Sequence, residues 1–452
     1  MQIINKRSCS LCIVLLLAVS SCKKFVEIDA PRTELIRSVV FTGDATANAA
    51  VIDIYYQLMQ SIGFASGGTN SITLLASLSA DEIVNGSTND NELQQINTNS
   101  ILPANKMVLA VWSDLYKCIY KANAVLEGLA ASPGVTESMK KQLEGESKFL
   151  RAFCFFYLVN LWGDVPLVLT TDYRQNQKMI QASQADIYTR MIADLKDAQL
   201  LLGSDFSFSN NERIRVNKGT ATALLARVYL YTGDWMDAEW QSSEVINNTD
   251  QYSLVPLNDV FLQNNSEAIW QLTPNYNVPE EYVIFYYYGH KIRTPLLNAF
   301  EPGDTRKTTW LELAPAGYYR PSKYRSVVTY AEYTVLFRLA EQYLIRAEAR
   351  LKQGKITGAN SAESDINTIR ARAGLGNTTA DTESAMQAAI EQERRVELFT
   401  EWGHRWFDLK RWNKADAVLG PVKAPNWQPT DKLYPIPEYQ VLNSPVTQNP
   451  GY

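Results

Sequence analysis

The stretch ALLARVYLYTGDWMDAEW, residues 223–240, predicts two short helices joined by a tight turn. Apolar residues recur at three- and four-residue steps on both sides of Gly233, which is the spacing of one helix face. Gly233 favours the end of the first helix, because glycine adopts the left-handed conformation that closes a helix without strain. Ala226 and Ala238 flank it, and such small residues let two antiparallel helices approach closely. The stretch therefore predicts a helical hairpin.

A second hairpin is predicted in YLIRAEARLKQGKITGAN, residues 343–360. Ala347, Gly354 and Ala359 repeat the spacing of the small residues in the first hairpin, seven positions and then five. This pattern resembles the tetratricopeptide repeat, a helix pair of about 34 residues that stacks into a superhelix.

Periodic apolar positions predict helices along most of the chain. The predicted helices span 44–62, 106–129, 137–161, 185–202, 218–231, 235–246, 337–352, 359–373 and 385–399. Ser183, three residues before Asp186, predicts the N-cap of the fourth of these helices. We therefore expect an all-α fold built as a tetratricopeptide-like superhelix.

Three regions, 63–103, 248–335 and 420–452, lack helical periodicity and are rich in polar residues, prolines or aromatics. Ordered loops of this length are uncommon unless they carry function or form a subdomain. The sequence thus predicts a helical scaffold with a loop-rich second half, in which the loops hold the functional site.

Length and composition limit the functional classes. A chain of 452 residues, 46% hydrophobic and 20% charged, is long enough for two or three domains or for one repeat array. It contains 10 Trp, 24 Tyr and 15 Phe, an unusually rich set of aromatic rings. Its formal net charge of −5 offers no basic surface, so we expect no nucleic-acid partner.

The amino terminus predicts export and a lipid anchor. Lys6 and Arg7 precede an apolar run, 11–19, that is too short to span a bilayer and is typical of a signal peptide. Val-Ser-Ser-Cys then resembles a bacterial lipoprotein box, which would make Cys22 the lipidated first residue after removal of residues 1–21. The alternative is an unlipidated signal peptide followed by an incidental cysteine.

The remaining cysteines suggest no active site. Cys9 and Cys12 lie in the segment that would be removed. Cys118 and Cys154 fall in predicted helices beside apolar residues, which favours two buried free thiols, although an exported protein could bridge them.

Catalytic and metal-binding signatures are absent from the sequence. His290 and His404 are the only histidines, far apart and without a Cys/His cluster or H-E-x-x-H. G-x-S-x-G and the glycine-rich phosphate loops do not occur. We therefore expect no metal, no cofactor and no catalytic residue.

The densest cluster of charge, EQERRVELFTEWGHRWFDLKRW at 391–412, could contain the paired carboxylates of a glycosidase. Its four glutamates, however, each have an arginine within helical reach, and its apolar residues follow three- and four-residue steps. The sequence favours one packed helix whose charges pair with one another.

This stretch closely resembles the carboxyl-terminal signature of the SusD/RagB family of outer-membrane nutrient-binding lipoproteins. The residues that fit are Glu393, Arg394, Arg395, Glu397, Leu398, Glu401, Arg405, Trp406, Asp408, Leu409, Arg411 and Trp412. Segments 22–31, 337–349, 366–375 and 433–452 resemble the family in the same order. Two departures are Trp402, where the family more often continues directly to glycine, and Ser444, which interrupts an Asn-Pro pair.

The resemblance implies an N-terminal region at 22–335, with its ligand loops at 248–335, and a C-terminal region at 336–452. It also implies a lipid-anchored protein on the outer membrane that is not an enzyme. Such a protein captures a glycan, or sometimes a peptide, and passes it to a SusC-like TonB-dependent transporter.

Candidate ligand residues follow from sugar chemistry. Flat aromatic rings stack on the apolar faces of pyranoses, while amides and carboxylates bind their hydroxyl groups. The candidates are Tyr276, Tyr282, Tyr286, Tyr288 and Trp310 as platforms, and Asn70 and Asp81 as polar contacts. If 283–288 is extended, Tyr286 and Tyr288 share one face.

Other functional classes stay open at the level of sequence. The same architecture could capture peptides or another nutrient, or could be a repeat scaffold that binds only protein partners. A hydrolase is the least favoured alternative.

Overall fold

The computed structural model describes residues 40–60, 63–87, 89–275 and 278–452. Cys22, the predicted lipidation site, lies outside these residues. The described helices are α1 Asp44–Leu58, α2 Ile72–Ser79, α3 Asn91–Thr98, α4 Lys106–Ala131, α5 Glu137–Trp162, α6 Tyr173–Asn176, α7 Gln184–Leu201, α8 Lys218–Thr232, α9 Trp235–Ile246, α10 Glu280–Tyr287, α11 Thr294–Leu297, α12 Thr305–Trp310, α13 Leu339–Lys352, α14 Ala362–Arg372, α15 Glu383–Glu397, α16 His404–Arg411, α17 Ala415–Val422 and α18 Glu438–Asn443. Short 3₁₀ turns occur at Ser207–Ser209 and Pro429–Lys432.

Strands are few and short. They are β1 Ile83–Val84, β2 Ala268–Leu272, β3 Lys291–Ile292, β4 Leu311–Leu313, β5 Tyr319–Pro321 and β6 Thr334–Arg338. They form three antiparallel pairs, β1 with β3, β2 with β6, and β4 with β5.

The long helices form a continuous stack. In the order α1, α4, α5, α7, α8, α9, α13, α14, α15, each helix packs against the next. This consecutive packing confirms the predicted all-α class and the helical-repeat scaffold, because each unit buries its apolar face against its neighbours.

Local signals place the ends of these helices correctly. The Ser183 Oγ accepts a hydrogen bond from the Asp186 N–H at 3.2 Å and caps α7. Gly233, with φ of 76°, ends α8, and Gly354, also at 76°, follows α13. Both glycines adopt the left-handed conformation that the sequence predicts for them.

The second hairpin differs from its prediction by three residues. Ala359 is exposed in a loop, and α14 begins at Ala362, which is buried in the same cluster as Ala347. The reason is a capping box in which the side chains of Ser361 and Ser364 exchange hydrogen bonds with each other's backbone N–H.

Region 63–103 is not irregular throughout, because it contains α2 and α3. All eight residues of α2 are buried. A helix that is buried on every side needs no polar face and hence no amphipathic period, which explains why the periodicity missed it.

The core lies where the helical stack meets the β2–β6 pair. Phe153 of α5 is fully buried, and its ring centroid lies 5.1 Å from Trp270 of β2, 6.0 Å from Phe337 of β6 and 6.2 Å from Trp402. This aromatic cluster joins the scaffold to the segments that carry the loops. Cys118 of α4 and Cys154 of α5 are buried free thiols, as the sequence favours.

The charged stretch 391–412 is not one helix, contrary to the prediction. Helix α15 ends at Glu397 and α16 begins at His404. Between them Thr400 and Trp402 have φ of 50° and Gly403 has 76°, a left-handed conformation that no helix continues. The apolar stripe is therefore divided between two helices.

Candidate ligand-binding site

Two loop regions that are far apart in sequence meet beside α10. Strand β1 pairs with β3, and Ile83 lies opposite Ile292. Just beyond, Gly86 passes so close to Gly289 that a Cβ on Gly86 would lie 2.2 Å from the Gly289 carbonyl oxygen. Only glycine allows this approach. The Gly86 N–H also donates to Nδ1 of His290 at 3.3 Å.

Helix α10 presents a cluster of four tyrosines, Tyr282, Tyr286, Tyr287 and Tyr288, which we call the tyrosine cluster. The rings of Tyr282 and Tyr286 stack with centroids 5.1 Å apart, and Tyr287 meets Tyr286 edge-on at 4.8 Å. Tyr282 is largely buried, whereas Tyr286, Tyr287 and Tyr288 are 39%, 68% and 48% exposed. The cluster therefore offers an open aromatic surface on a packed base.

The expectation for an extended 283–288 is wrong. Residues 280–287 form a helix, so Tyr282 and Tyr286, four residues apart, share a face instead of Tyr286 and Tyr288. Ile284 and Phe285 face inward and are buried, which anchors the helix to the core.

Arg320 of β5 fixes the position of the Tyr286 ring. Its guanidinium carbon lies 3.9 Å from the ring centroid, and its Nη1 donates to the Tyr286 carbonyl at 2.8 Å. Arg320 is held in turn by Glu312, its partner across the β4–β5 hairpin, at 3.1 and 2.8 Å. The ring is thus ordered before any ligand arrives, which lowers the entropy cost of binding.

A buried acid lies at the inner side of α10. Burial raises the pKa of Glu281 to about 8, and the Thr334 hydroxyl donates to its Oε2 at 3.1 Å. Gly67 packs directly on the Glu281 carboxyl, because a Cβ there would lie 2.1 Å from the Glu281 Cδ. The neighbouring Glu280 also has its pKa raised, to about 6, by burial.

Asn70 is half-buried and lies three residues beyond Gly67. Gly67 contacts Glu281 of α10, so the segment that carries Asn70 lies against this helix, and the role of Asn70 as a polar contact stays a prediction. Tyr276, the remaining predicted tyrosine, lies outside the described residues.

Trp310 is not a surface platform. Its ring is 1% exposed, and Nε1 donates to the Leu257 carbonyl at 3.0 Å. The Lys323 ammonium lies 4.8 Å from the ring centroid. The apolar area of the indole and this internal hydrogen bond keep it in the core.

Asp81 is likewise excluded from ligand contact, because it is 1% exposed. Arg405 holds its carboxylate at 2.7 and 3.0 Å, and Arg395 does so at 2.6 Å. Burial alone would raise the pKa of Asp81, but these two guanidinium groups hold it below its usual value. Asp81 is a structural ion-pair partner.

The sequence prediction omitted Tyr287, Arg320 and Tyr318 from the site. Lys291 lies 5.0 Å from the centroid of the Tyr318 ring, next to the point where Gly289 approaches the Tyr318 hydroxyl. The run of three consecutive tyrosines, 286–288, is the signal that could have found Tyr287. No local signal marks Arg320, because pairing of β4 with β5 places it in the site.

Metal binding and proton transfer depend on the placement and burial of histidine and acidic side chains, and His290 and Glu281 beside the site are both buried. The described ranges contain no group of three His, Cys, Asp or Glu side chains placed to hold a metal ion. Burial lowers the pKa of His290 to about 4, so this imidazole is neutral at physiological pH. What the site can do is stack and hydrogen-bond.

Comparison with known proteins shows where this architecture belongs. Residues 44–230 match a family described as starch-binding and associating with the outer membrane, and residues 226–452 match the SusD family. The second match alone spans half of the chain. The chain belongs to the SusD/RagB family.

Relatives of the family align along nearly the whole chain. SusD-like protein P25 of Formosa agariphila is 23% identical over 96% of this chain and 96% of its own length. A solved laminarin-binding SusD-like protein is 26% identical and covers 91% of this chain and 100% of its own, with a TM-score of 0.77. Surface glycan-binding protein A from Bacteroides fluxus has the same fold, at 22% identity, 90% and 99% coverage and a TM-score of 0.74.

Within the described ranges, every helix is too short or too polar to traverse a lipid bilayer.

Proposed function

We propose that this SusD/RagB member captures a glycan on its tyrosine cluster and delivers it, without altering it, to a SusC-like TonB-dependent transporter. It does so at the outer membrane, held by lipid on Cys22. The observation that carries the proposal is the exposed ring surface of Tyr286, Tyr287 and Tyr288, in which Arg320 holds the Tyr286 ring in place. Sugar rings present apolar C–H faces of matching size, and the phenol hydroxyls supply hydrogen bonds at the edge.

The relatives support a sugar as the ligand. A laminarin-binding protein of this family shares the fold over 91% of the chain at 26% identity. The family description that matches 44–230 names starch binding and association with the outer membrane. Binding of a polysaccharide is what these two descriptions have in common.

The burial of Glu281, on the inner side of α10, fits capture without turnover. Glu281 is 2% exposed, with its carboxyl covered by Gly67, so it does not reach a glycosidic oxygen above the rings. A glycosidase needs two carboxyl groups in direct contact with the scissile bond.

Isothermal titration with a panel of neutral oligosaccharides and peptides tests the ligand class. We expect at least one oligosaccharide to bind, and Tyr287→Ala to weaken it by about fivefold or more, the loss of a contact residue worth at least about 1 kcal/mol. Tyr173→Ala removes a ring that is equally exposed, at 67%, but lies on α6, and should change nothing.

Because the Tyr287 ring is exposed, its removal should leave the melting temperature unchanged. Binding of peptides but not sugars would replace the glycan by a peptide ligand. Unchanged sugar affinity in both Tyr287→Ala and Tyr286→Ala would contradict the tyrosine cluster as the site.

The anchor and the partner are tested in cells. Cys22→Ser should move the protein from the outer-membrane fraction to the soluble fraction, since a single thiol carries the predicted lipid. Affinity purification of the wild-type protein should recover a TonB-dependent barrel. A Cys22→Ser protein that stays with the membrane would argue against lipidation.

A further inference from the structure

A second groove lies on the helical scaffold, away from the tyrosine cluster. It runs between α4, the segment 166–179 and α18, and it has a volume of about 530 Å³. We call it the α4 groove. None of the residues that line it belongs to the tyrosine cluster or to the β4–β5 hairpin. Its volume falls in the range of small-molecule sites, roughly 300–1,000 Å³.

The α4 wall of the groove is an aromatic ladder. Trp112, Tyr116 and Tyr120 are spaced four residues apart on one helix face, about 6 Å per step. The rings of Trp112 and Tyr116 lie 5.0 Å apart, and the Tyr116 hydroxyl donates to the Pro166 carbonyl at 2.8 Å. Exposure rises from 3% at Trp112 to 52% at Tyr120, so the ladder leads from the core to an open ring.

Free polar groups accompany these rings. The side-chain amide of Gln440 on α18 lines the groove and makes no hydrogen bond within the described ranges. An amide that both donates and accepts suits a ligand rich in hydroxyl groups. Met179 and Val446 complete an apolar opposite wall.

The charge of the groove is opposite to that of the protein. Lys117 and Lys121 line it, and no carboxylate does. Lys121 is paired with Asp53 at 2.8 Å, but Lys117 is exposed and has no ion-pair partner in the described part of the chain. Asp114 of the same helix interacts electrostatically with both lysines but is buried, so Lys117 is the charge that a ligand in the groove meets. In a chain of net charge −5, this local cation favours an anionic ligand, since charges beyond about 8 Å are screened at physiological salt.

We infer that the α4 groove binds an acidic oligosaccharide. A sugar ring stacks on Tyr120, and its carboxylate or sulfate pairs with Lys117, which lies three residues earlier on the same helix face. This goes beyond the proposed function, because it adds a second site with a different ligand class.

Isothermal titration of the purified mature chain tests the groove. The probes are an oligogalacturonide, which carries carboxylates, a sulfated galactan oligosaccharide, a neutral oligosaccharide of equal length, and a polyglutamate peptide. We expect the acidic sugars to bind and Lys117→Glu to weaken them about tenfold or more, the effect of losing one charge-assisted contact. Tyr120→Ala should weaken them about fivefold or more.

The matched controls are Lys141→Glu, an exposed lysine on α5, and Tyr56→Ala, a tyrosine on α1 that is 57% exposed. Neither lines the groove, and neither should change the affinity. Carboxylated and sulfated probes, compared with each other, show which anion the groove prefers.

Several results would overturn the inference. One is that neutral and acidic sugars bind at the groove with equal affinity. Another is that polyglutamate binds more strongly than either acidic sugar. A third is that Lys117→Glu and Tyr120→Ala leave the affinity for acidic sugars unchanged. Loss of acidic-sugar binding in Tyr287→Ala alone would assign these ligands to the tyrosine cluster and leave the proposed function intact. If neutral-sugar binding is unchanged in every variant, including Tyr287→Ala, the result contradicts the proposed function and leaves the inference about the groove intact.

Discussion

Trp310 closes α12 with its indole inside the protein, where Nε1 donates to the Leu257 carbonyl. Phe261 and Phe399 contact the ring with centroids 5.9 and 6.4 Å away. The side chain therefore stabilises the junction between the loop-rich segment and the carboxyl-terminal helices. Its contribution is to folding and not to ligand contact.

Trp310→Ala should lower the free energy of unfolding by about 3–5 kcal/mol, because it leaves a cavity and an unpaired Leu257 carbonyl. Urea denaturation measures the loss. Tyr288→Ala, which removes a ring that is 48% exposed, should cost no more than about 0.5 kcal/mol. Unchanged stability together with reduced sugar affinity in Trp310→Ala would show instead that Trp310 contacts the ligand.

Burial of Glu281 makes the free energy of unfolding decrease as the pH rises. Burial raises the pKa of Glu281 to about 8 in the folded chain, well above the value near 4.5 of an exposed glutamate. The folded state therefore holds a proton that the unfolded state releases between these two values. Stability from this group is complete below pH 4.5 and is lost as the pH rises towards 8.

Glu281→Gln should remove this dependence, because the amide is neutral at every pH. Relative to the variant, the wild type should lose roughly 1.4 kcal/mol of unfolding free energy for each pH unit between 5 and 8. Chemical denaturation at three pH values measures the difference. Glu383→Gln, at an exposed position of α15, should keep the wild-type profile, and parallel profiles for wild type and Glu281→Gln would refute the assignment.

At the scale of elements, α15 and α16 act as the centre of a buried ion network. Glu397, at the end of α15, accepts hydrogen bonds from Arg338 of β6 at 2.5 Å, from Arg306 of α12 at 3.1 Å, and from Arg372 of α14. Glu401, in the break between the two helices, pairs with Arg338 at 2.7 Å. Glu397 and Glu401 therefore pair with other elements, contrary to the prediction from sequence. Arg394 does pair within the stretch, with Asp408 at 2.7 and 3.1 Å, as the sequence predicts.

Glu397→Gln should destabilise the protein by about 3–5 kcal/mol, because it leaves three buried guanidinium groups without their shared carboxylate. Glu391→Gln, in the same helix, removes a pair with the half-exposed Lys414 and should cost no more than about 1 kcal/mol. Thermal unfolding of the two variants side by side measures the difference. Equal melting temperatures would show that the network contributes little.

The stabilisation that this network provides is lost at acidic pH. Burial alone would raise the pKa of Glu397, but Arg372, Arg338 and Arg306 hold it far below its usual value. The stabilisation is therefore present above the unfolded pKa near 4.5, and it is lost only as the pH falls below that value.

The helices differed in how far sequence alone could place them. Helix α9, Trp235–Ile246, has the bounds that its periodicity predicts, because it is amphipathic and has a cap at one end. Helix α10 is only eight residues long and has apolar or aromatic residues on both faces, so its sequence pattern is compatible with a strand as well as with a helix. Packing of Ile284 and Phe285 on the core decided between them.

At the scale of the whole molecule, the carboxyl-terminal segment is hydrogen-bonded to the end of α5 in the scaffold. The Tyr434 N–H donates to the Leu161 carbonyl of α5 at 2.8 Å, and the Trp162 Nε1 donates to the Pro435 carbonyl at 2.9 Å. Asn449 donates from its side-chain amide to the carbonyls of Trp162 and Tyr434 at 2.9 and 2.7 Å. The bonds to Trp162 join residues 273 and 287 positions apart in sequence.

Asn449→Ala should lower the free energy of unfolding by about 1–3 kcal/mol, because two buried carbonyl groups lose their donor. Asn443→Ala, at the exposed end of α18, should cost no more than about 0.5 kcal/mol. Equilibrium unfolding in urea distinguishes them. Similar small losses in both variants would show that solvent replaces the Asn449 donor.

The sequence by itself determined the helical-repeat scaffold and the family. Apolar spacing, caps and turn glycines act within a few residues, so their signal is readable in the letters. Only the tertiary structure decided which aromatic rings are exposed. Trp310 and Tyr287 are both aromatic residues of the loop-rich region. The Trp310 ring is buried against Phe261 and Phe399, whereas the Tyr287 ring is 68% exposed. Burial depends on contacts between distant segments, which no local pattern specifies.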